Sequence, residues 1–273
     1  MLGKSLENVR GKSPLVHNIT NYVTVNDVAN ALLAAGGSPI MSDEPEDVFD
    51  ITSICGGLNI NIGTLNKRSI EAMFIAGNRA KELGHIVLLD PVGAGASKLR
   101  TDIALKILNE IKPDIIRGNI SEIKTLVSGT GTTKGVDADA ADVVTESNLD
   151  AMVEFAKSFS EKSGTVVAIT GAIDLVADSE KCYVIRNGMP QMSKITGTGC
   201  MLSALATAYA VANPDNMTQA VAASVCLMGL AGEIGVSAMD VSEGNSSLRN
   251  HIIDAIYNMD AETLNKGVKY EIR

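Results

Sequence analysis

The stretch "SIEAMFIAGNRAKELGHIVLLD" (residues 69–90) shows most clearly the alternation that decides the fold. Apolar residues recur at helical spacing through 69–84, and Gly84 follows where a left-handed helix cap is favoured. The next run is apolar almost throughout and closes on Asp90. Continuous apolar runs are typical of strands buried on both faces of a parallel sheet. The stretch therefore predicts a helix, a glycine cap and an interior strand.

The same alternation continues on both sides of this stretch. Helical spacing also marks 23–36, 149–164 and most of 200–260. Short β-rich runs predict strands at 38–41, 58–63, 85–90, 114–118 and 165–170. This rhythm predicts an α/β fold in which helices flank both faces of a mainly parallel central sheet, as a single domain over residues 1–273.

Two segments depart from the alternation. Residues 174–188 contain two apolar runs around a polar turn at 179–181, which predicts an antiparallel hairpin at one sheet edge. The chain after this hairpin is almost wholly helical in pattern. The segment "SGTGTTKGVDADAAD" (128–142) is predicted to be a mobile loop.

Composition narrows the possible partners. The chain has 273 residues, 45% of them apolar, with a net charge of −9 and no basic run, which argues against nucleic-acid or anionic-lipid surfaces. The apolar stretch 220–239 is interrupted by Glu233 and several glycines, so a buried helix is favoured over a membrane span. No signal-peptide pattern or CxxC pair occurs. We expect a soluble cytoplasmic protein with free thiols and a small-molecule partner.

The segment "ITGTGCM" (195–201) directly precedes a long apolar helical pattern. Gly197 and Gly199 would let a ligand approach the backbone, and the free N–H groups of a helix N-terminus attract anions. A plain turn before a packed helix is the alternative interpretation. The chain lacks both the P-loop motif and a G-x-G-x-x-G fingerprint after the first strand. We therefore predict an anion-binding site of another kind.

Cys200 occupies the mouth of this predicted helix. A helix N-terminus is expected to lower the pKa of a thiol, which makes Cys200 a candidate base or nucleophile. Cys182 and Cys226 are interpreted as small buried apolar residues. The glycines beside Cys200 disfavour the same interpretation for Cys200.

Two carboxylates are placed to assist such a site. Asp90 closes a strand, and Glu122 follows another strand near the start of a helix, in "RGNISEI" (117–123). Magnesium bound together with phosphates needs only one or two carboxylates. Glu122 is equally suited to the first turn of a helix on electrostatic grounds. Combined with an anion site, these residues suggest phosphoryl transfer.

Five segments, taken in order and spacing, resemble the hydroxyethylthiazole kinase family of thiamin salvage, whose fold is ribokinase-like. They are "HNITNYVTVNDVANALLAAGGSPIMSDEPED", "LLDPVGAG", "RGNISEI", "AITG" and "TGTGCMLSA". The resemblance covers essentially the whole chain. It implies phosphorylation of the primary hydroxyl of 4-methyl-5-(2-hydroxyethyl)thiazole by ATP with Mg²⁺. It also implies a homotrimer with active sites at subunit boundaries.

The resemblance further implies roles for individual residues. Cys200 stands where ribokinase-like sugar kinases typically carry an aspartate, and would serve as the base. The substrate roles that it implies are the thiazole pocket, for Asn21, Val23 and Met41, and a contact beside the hydroxyl, for Gly197. The ATP contacts that it implies are Arg117, Thr170, Thr198 and Gly199. Asp90 and Glu122 would organise Mg²⁺ and the phosphates.

Three other functions remain open at this point. A related kinase could act on hydroxymethylpyrimidine or on a sugar, although a sugar site needs more Asp, Asn and Arg than the N-terminal segment offers. A dehydratase that repairs hydrated NAD(P)H shares the fold but carries an acidic residue where this chain has Cys200. A non-catalytic sensor would bind thiazole or nucleotide without turnover.

Overall fold

The computed structural model describes residues 1–129 and 143–273. Strands in these residues are β1 (Leu15–Ile19), β2 (Ser38–Met41), β3 (Gly57–Asn61), β4 (Ile86–Asp90), β5 (Ile115–Asn119), β6 (Val166–Thr170), β7 (Asp174–Ala177), β8 (Cys182–Ile185) and β9 (Tyr270–Ile272). They form one sheet in the order β2-β1-β3-β4-β5-β6-β7-β8-β9.

The α-helices of the same residues surround this sheet. They are α1 (Gly3–Lys12), α2 (Val25–Ala35), α3 (Val48–Ile54), α4 (Lys67–Glu82), α5 (Lys98–Glu110), α6 (Ile120–Ser128), α7 (Leu149–Ser163), α8 (Thr198–Ala212), α9 (Met217–Ser237), α10 (Asn245–Asn258) and α11 (Ala261–Gly267). Every predicted helical region contains at least one of these helices, and each predicted strand is present within two residues of its predicted bounds.

Strands β1 to β6 are parallel, with registers that align Asn18 with Asn59 and Asn61 with Asp90. The strands from β7 onward are antiparallel. The mainly parallel sheet and the late hairpin are therefore confirmed. The hairpin is not the edge of the sheet, because β9 pairs with the outer side of β8 and becomes the last strand.

Apolar side chains of alternate strand residues fill a separate core on each face of the sheet. Leu88 belongs to the core beneath α1, α2, α8, α9 and α10, whereas its neighbour Leu89 belongs to the core beneath α4, α5, α6 and α7. Helices therefore flank both faces, as predicted. The parallel strands all end at the same edge, so residues at their carboxyl ends lie close together.

The apolar segment after β8 forms two core helices. Among the described residues, Pro214–Ser237 alone is long and apolar enough to cross a membrane, and 78% of its most apolar window is buried inside the protein. It packs against α8 and α10. The prediction of a buried helix over 220–239 is confirmed.

Glycines end several helices as predicted. Gly36, Gly84 and Gly164 follow α2, α4 and α7 with φ of 94°, 70° and 70°, in the left-handed region where a side chain is disfavoured. Gly129 ends α6 in the same way. The rest of the loop predicted over 128–142 lies outside the described residues.

Candidate active site

Polar residues from distant parts of the chain meet where the parallel strands end. Asn21 lies just after β1, Asn61 ends β3, Asp90 ends β4 and Thr170 ends β6. Cys200 lies in the first turn of α8, which packs against β1, β3, β4 and β5. The sheet topology and α8 together bring these side chains to one location.

Asp90 is fully buried and is held by one of its two carboxylate oxygens. Its Oδ2 accepts hydrogen bonds from Asn61 Nδ2 and Ser203 Oγ, both at 2.8 Å, and lies 3.5 Å from Arg117 Nη1. Its Oδ1 is buried and has no partner among the described residues. Burial raises the pKa of Asp90, although Arg117 and both donors oppose this change. One oxygen is therefore fixed while the other is left free for a ligand.

Glu122 links the loop after β4 to the start of α6. Its Oε1 accepts a hydrogen bond from the Gly93 N–H, and its Oε2 accepts one from the Asn119 N–H, both at 2.8 Å. Asn119 caps α6 and completes a reciprocal capping box with Glu122. Burial and the nearby charge of Asp90 raise the pKa of Glu122 to about 7. Glu122 therefore has the role at the start of a helix that the sequence allowed, and its carboxylate is also close enough to Asp90 for the two charges to interact.

These carboxylates fit a cation that arrives with phosphates. No group of three or more His, Cys, Asp or Glu side chains in the described part of the chain could hold a metal by itself. Mg²⁺ commonly uses one or two carboxylates, phosphate oxygens and water. The buried, unpartnered Oδ1 of Asp90 is an oxygen of the kind that Mg²⁺ prefers. The residues therefore fit nucleotide-bound Mg²⁺ better than a permanent metal site.

All four cysteines lie in the described residues, and Cys200 alone among them is partly exposed. Two amide groups hold its sulfur. Asn21 Nδ2 and Asn61 Nδ2 donate to Cys200 Sγ at 3.2 Å and 3.3 Å. Burial and the charge of Asp90 raise the pKa of the thiol, outweighing the opposite effects of Thr24, Arg117 and Asn21. The expectation that the helix N-terminus would lower this pKa is therefore wrong.

The two glycines before Cys200 are required by contacts inside the protein. Gly197 precedes α8 with φ of 94°, and a Cβ there would lie 2.6 Å from Thr24 Cγ2. A Cβ on Gly199 would lie 2.5 Å from Arg117 Nη1. No side chain in the described part of the chain caps α8, so its first turn, which starts at Thr198, presents N–H groups of the kind that bind anions.

Arg117 is fixed beside this helix N-terminus. Its Nη2 donates to Thr170 Oγ1 at 2.6 Å, and its Nη1 faces Asp90. Its Nε is buried without a partner among the described residues. The predicted phosphate-contacting pair Arg117 and Thr170 is therefore one structural unit, positioned by β5 and β6.

The predicted thiazole-pocket residues differ in their surroundings. Asn21 is buried, with Nδ2 donating to Asn61 Oδ1 and Cys200 Sγ and Oδ1 accepting from Thr24 Oγ1. Its side chain already has protein partners at both ends. Val23 is 57% exposed, and Met41 is partly buried at the end of the edge strand β2. These two residues lie outside the hydrogen-bonded group around Cys200.

Known proteins resemble this chain over its full length. A family model described as the hydroxyethylthiazole kinase family matches residues 6–262. The hydroxyethylthiazole kinase of Clostridium acetobutylicum is 59% identical over 271 residues, covering 99% of each chain. The chain belongs to the hydroxyethylthiazole kinase family. The prediction that it is a kinase, and therefore a phosphotransferase, is confirmed.

Solved structures agree with membership of this family. The structure of the hydroxyethylthiazole kinase protein from Pyrococcus horikoshii OT3 superimposes with a TM-score of 0.88 at 31% identity, covering 100% of this chain and 98% of that one. A ribokinase-like superfamily protein from Enterococcus faecalis V583 gives a TM-score of 0.62 at 11% identity, covering 92% and 88%. The second likeness concerns the fold alone, and the predicted ribokinase-like fold is confirmed.

Three residues of the candidate site were not predicted from the sequence: Asn61, Thr24 and Ser203. Asn61 lay inside the strand predicted at 58–63, and only the observed strand β3 ends at this residue, as β4 ends at Asp90. Ser203 and Thr24 gave no signal in the sequence. Thr24 precedes a helix and Ser203 lies inside one, where hydroxylic residues are common, and their partners become evident only after folding.

Proposed function

We propose that this chain transfers the γ-phosphoryl group of ATP to the primary hydroxyl of 4-methyl-5-(2-hydroxyethyl)thiazole, for thiamin salvage. The hydroxyl oxygen forms the new bond to phosphorus, the bond to the ADP oxygen breaks, and the hydroxyl loses its proton. One arrangement carries the proposal: the free Oδ1 of Asp90, the guanidinium of Arg117 and the uncapped start of α8 surround Cys200. Membership of the family supports the substrate.

Charge neutralisation and positioning account for most of the proposed catalysis. Phosphoryl transfer spreads negative charge over the phosphate oxygens. Arg117 and the N–H groups at the start of α8 would stabilise this charge. Asp90 and Glu122 would hold Mg²⁺, which supplies further neutralisation when it is bound with ATP.

Cys200 is proposed to orient the attacking hydroxyl and to receive its proton. Burial and the charge of Asp90 raise the pKa of this thiol, which disfavours the thiolate. A loose transition state requires little proton transfer until bond formation is advanced. Orientation of the hydroxyl by a fixed sulfur is therefore the larger part of the role of Cys200, and proton acceptance is the smaller part.

A largely apolar pocket suits the proposed substrate. The thiazole ring carries few polar atoms, and Val23 and Met41 offer an aliphatic chain and a polarizable thioether. Gly197 would contact the substrate beside the hydroxyl, because its backbone adjoins the start of α8. Hydroxymethylpyrimidine and sugars, which need more hydrogen bonds, are disfavoured.

We also propose a homotrimer with active sites at subunit boundaries. Large apolar side chains are exposed on segments that flank the edge strand β2, at 78% for Tyr22, 57% for Val23, 57% for Leu33 and 65% for Ile54. Exposed apolar groups of this kind are typical of protein interfaces. A second copy would cover them and close the thiazole pocket near Val23. A cytoplasmic location agrees with four cysteines that are all free, and one continuous sheet supports a single domain.

The experiment is a coupled ADP-release assay with ATP and Mg²⁺, comparing the hydroxyethylthiazole with hydroxymethylpyrimidine and ribose. The expected result is turnover with the thiazole, near-background rates with the other two, and a product whose mass has increased by one phosphate. Preferred turnover of the pyrimidine would replace the proposed substrate. Thiazole binding by calorimetry without turnover would contradict the proposal and favour a sensor.

A further inference from the structure

We propose that Asn61 is a positioning residue that fixes Asp90 and Cys200 relative to each other through a single side-chain amide. This inference rests on the proposed phosphoryl transfer to the thiazole. Asn61 Nδ2 donates to Asp90 Oδ2 at 2.8 Å and to Cys200 Sγ at 3.3 Å. One nitrogen therefore joins the proposed cation-binding carboxylate to the thiol that orients the hydroxyl.

The amide of Asn61 uses its full hydrogen-bonding capacity. Its Oδ1 accepts from the Gly63 N–H at 2.9 Å and from Asn21 Nδ2 at 3.2 Å. An asparagine side chain has two donor hydrogens and two acceptor lone pairs, and all four have partners here. The Gly63 N–H can only donate, so it also fixes which end of the amide is oxygen.

These partners come from four separate parts of the fold. Asn61 ends β3, which lies between β1 and β4, and the sheet register places it directly beside Asp90. Cys200 belongs to α8, whereas Asn21 follows β1. The side chain is 1% exposed, so water cannot readily replace a lost partner. A rotation of the amide would break four contacts at once.

These contacts fix the positions of the Asp90 carboxylate and the Cys200 thiol. Asn61 and Ser203 both donate to Oδ2 of Asp90, while Oδ1 is buried without a partner among the described residues. Asn61 and Asn21 both donate to Cys200 Sγ, which limits rotation of the thiol. Misplacement by about 1 Å can lower a rate by about 100-fold, so such coupling affects turnover more than binding.

The test compares four variants of the full-length enzyme. Asn61→Ala removes all four contacts, while Asn61→Asp keeps an acceptor for Gly63 and Asn21 but loses the amide donor. Ser203→Ala removes one donor to Asp90 without altering a contact to Cys200 Sγ. Asn59→Ala is the matched control, because Asn59 is equally buried on the same strand and donates to Asn18 Oδ1.

Three quantities are measured for each variant: kcat with saturating ATP, Mg²⁺ and thiazole, the thiazole Kd by calorimetry without nucleotide or metal, and the melting temperature. We expect both Asn61 variants to lose about tenfold or more in kcat, with thiazole Kd within about twofold of wild type. Asn59→Ala should keep kcat within about threefold. Ser203→Ala should lose less than Asn61→Ala, because its contact reaches Asp90 alone.

Several results would overturn the positioning role. These are an Asn61→Ala enzyme as fast as Asn59→Ala, a fully active Asn61→Asp enzyme, a thiazole Kd that weakens as much as kcat falls, or a Ser203→Ala loss equal to that of Asn61→Ala. Absence of thiazole turnover in the wild-type enzyme would instead refute the proposed function. The two failures are therefore distinguishable.

Discussion

The guanidinium of Arg117 occupies the space where a side chain on Gly199 would begin. A Cβ on Gly199 would lie 2.5 Å from Nη1 and 2.6 Å from Nη2. The absence of a side chain therefore lets Arg117 reach the start of α8 while its guanidinium also contacts Asp90 and Thr170. This glycine is needed for an arginine contact inside the protein, whatever ligand also approaches its backbone.

Gly199→Ala should reduce activity without unfolding the enzyme. The added methyl group would displace Arg117 from Asp90 and Thr170, so we expect kcat/KM for ATP to fall about tenfold or more. Steady-state kinetics with varied ATP, together with the melting temperature, provides the measurement.

Gly11→Ala is the matched control for this substitution. Gly11 lies in α1, and a Cβ there would meet nothing within 4 Å. We expect unchanged kinetics and slightly higher stability, because alanine is the better helix former. Equal kinetic effects of the two substitutions would contradict the proposed steric conflict at Gly199.

Cys200→Ala should retain ATP binding and lose much of kcat, by about 10- to 100-fold, because the hydroxyl loses its orienting and proton-accepting group. Cys200→Asp should keep substantial activity, since a carboxylate can accept the same proton. The measurements are kcat and KM for both substrates in each variant. An alanine variant with wild-type turnover would remove Cys200 from the mechanism.

Alkylation of Cys200 should accelerate with pH and continue to accelerate at pH 9, because the pKa of its thiol lies above the ordinary value of 9.0. Cys55, Cys182 and Cys226 are buried and should react more slowly in the folded enzyme. Peptide mass spectrometry after timed iodoacetamide treatment distinguishes the four sites. A rate that levels off below pH 8 would show that the helix N-terminus determines the thiol pKa after all.

Glu122→Gln should change how stability depends on pH. Folding raises the pKa of Glu122 from 4.5 to about 7, so its ionisation destabilises the folded protein as pH rises through this range. The wild type should lose on the order of 3 kcal/mol between pH 4.5 and 7.5 from this group, whereas the glutamine of the variant cannot ionise. That glutamine can replace only one of the two carboxylate acceptors of Glu122.

Urea unfolding of both proteins at pH 5 and pH 8 measures this difference. We expect Glu122→Gln to be the less stable protein at pH 5, with the gap closing or reversing at pH 8. A stability difference that is the same at both pH values would contradict the raised pKa.

Ile54→Glu should weaken the proposed homotrimer, because Ile54 is 65% exposed on α3 and a charge there would be buried by a partner subunit. Val127→Glu is the control, because Val127 is also exposed but lies on α6. Helix α6 packs near β5, which is distant from the edge strand β2 in the sheet. Light scattering during gel filtration gives the mass of each. A monomeric wild-type protein would refute the homotrimer.

Local pattern was sufficient for most of the fold. Strands β3 to β6 and helices α2, α4 and α7 were predicted because buried elements repeat apolar residues with the period of their own geometry. Strand β1 and helices α1 and α5 were not predicted, and neither were the shortest elements. Helix α3 spans only seven residues and β9 only three, too few to establish a period, and both are stabilised by packing against distant segments.

The site was predictable where position along the chain was enough. Asp90 and Cys200 were found because one ends a strand and the other starts a helix, and both geometries follow from nearby sequence. Asn61 was missed, because the predicted strand ran past it to residue 63 and nothing local reveals that its amide has four partners.

The sequence alone therefore determined the parallel sheet, the family and the set of residues at its carboxyl edge, because these depend on periodicity and on motifs within short segments. Only the tertiary structure decided the direction in which the pKa of Cys200 is shifted, the steric role of Gly199 and the partners of Asn61. The physical reason is that pKa values and steric limits depend on burial and on charges brought close by folding. The pKa of the Cys200 thiol is raised because burial and the charge of Asp90, remote in sequence, outweigh the opposite effects of Thr24, Arg117 and Asn21.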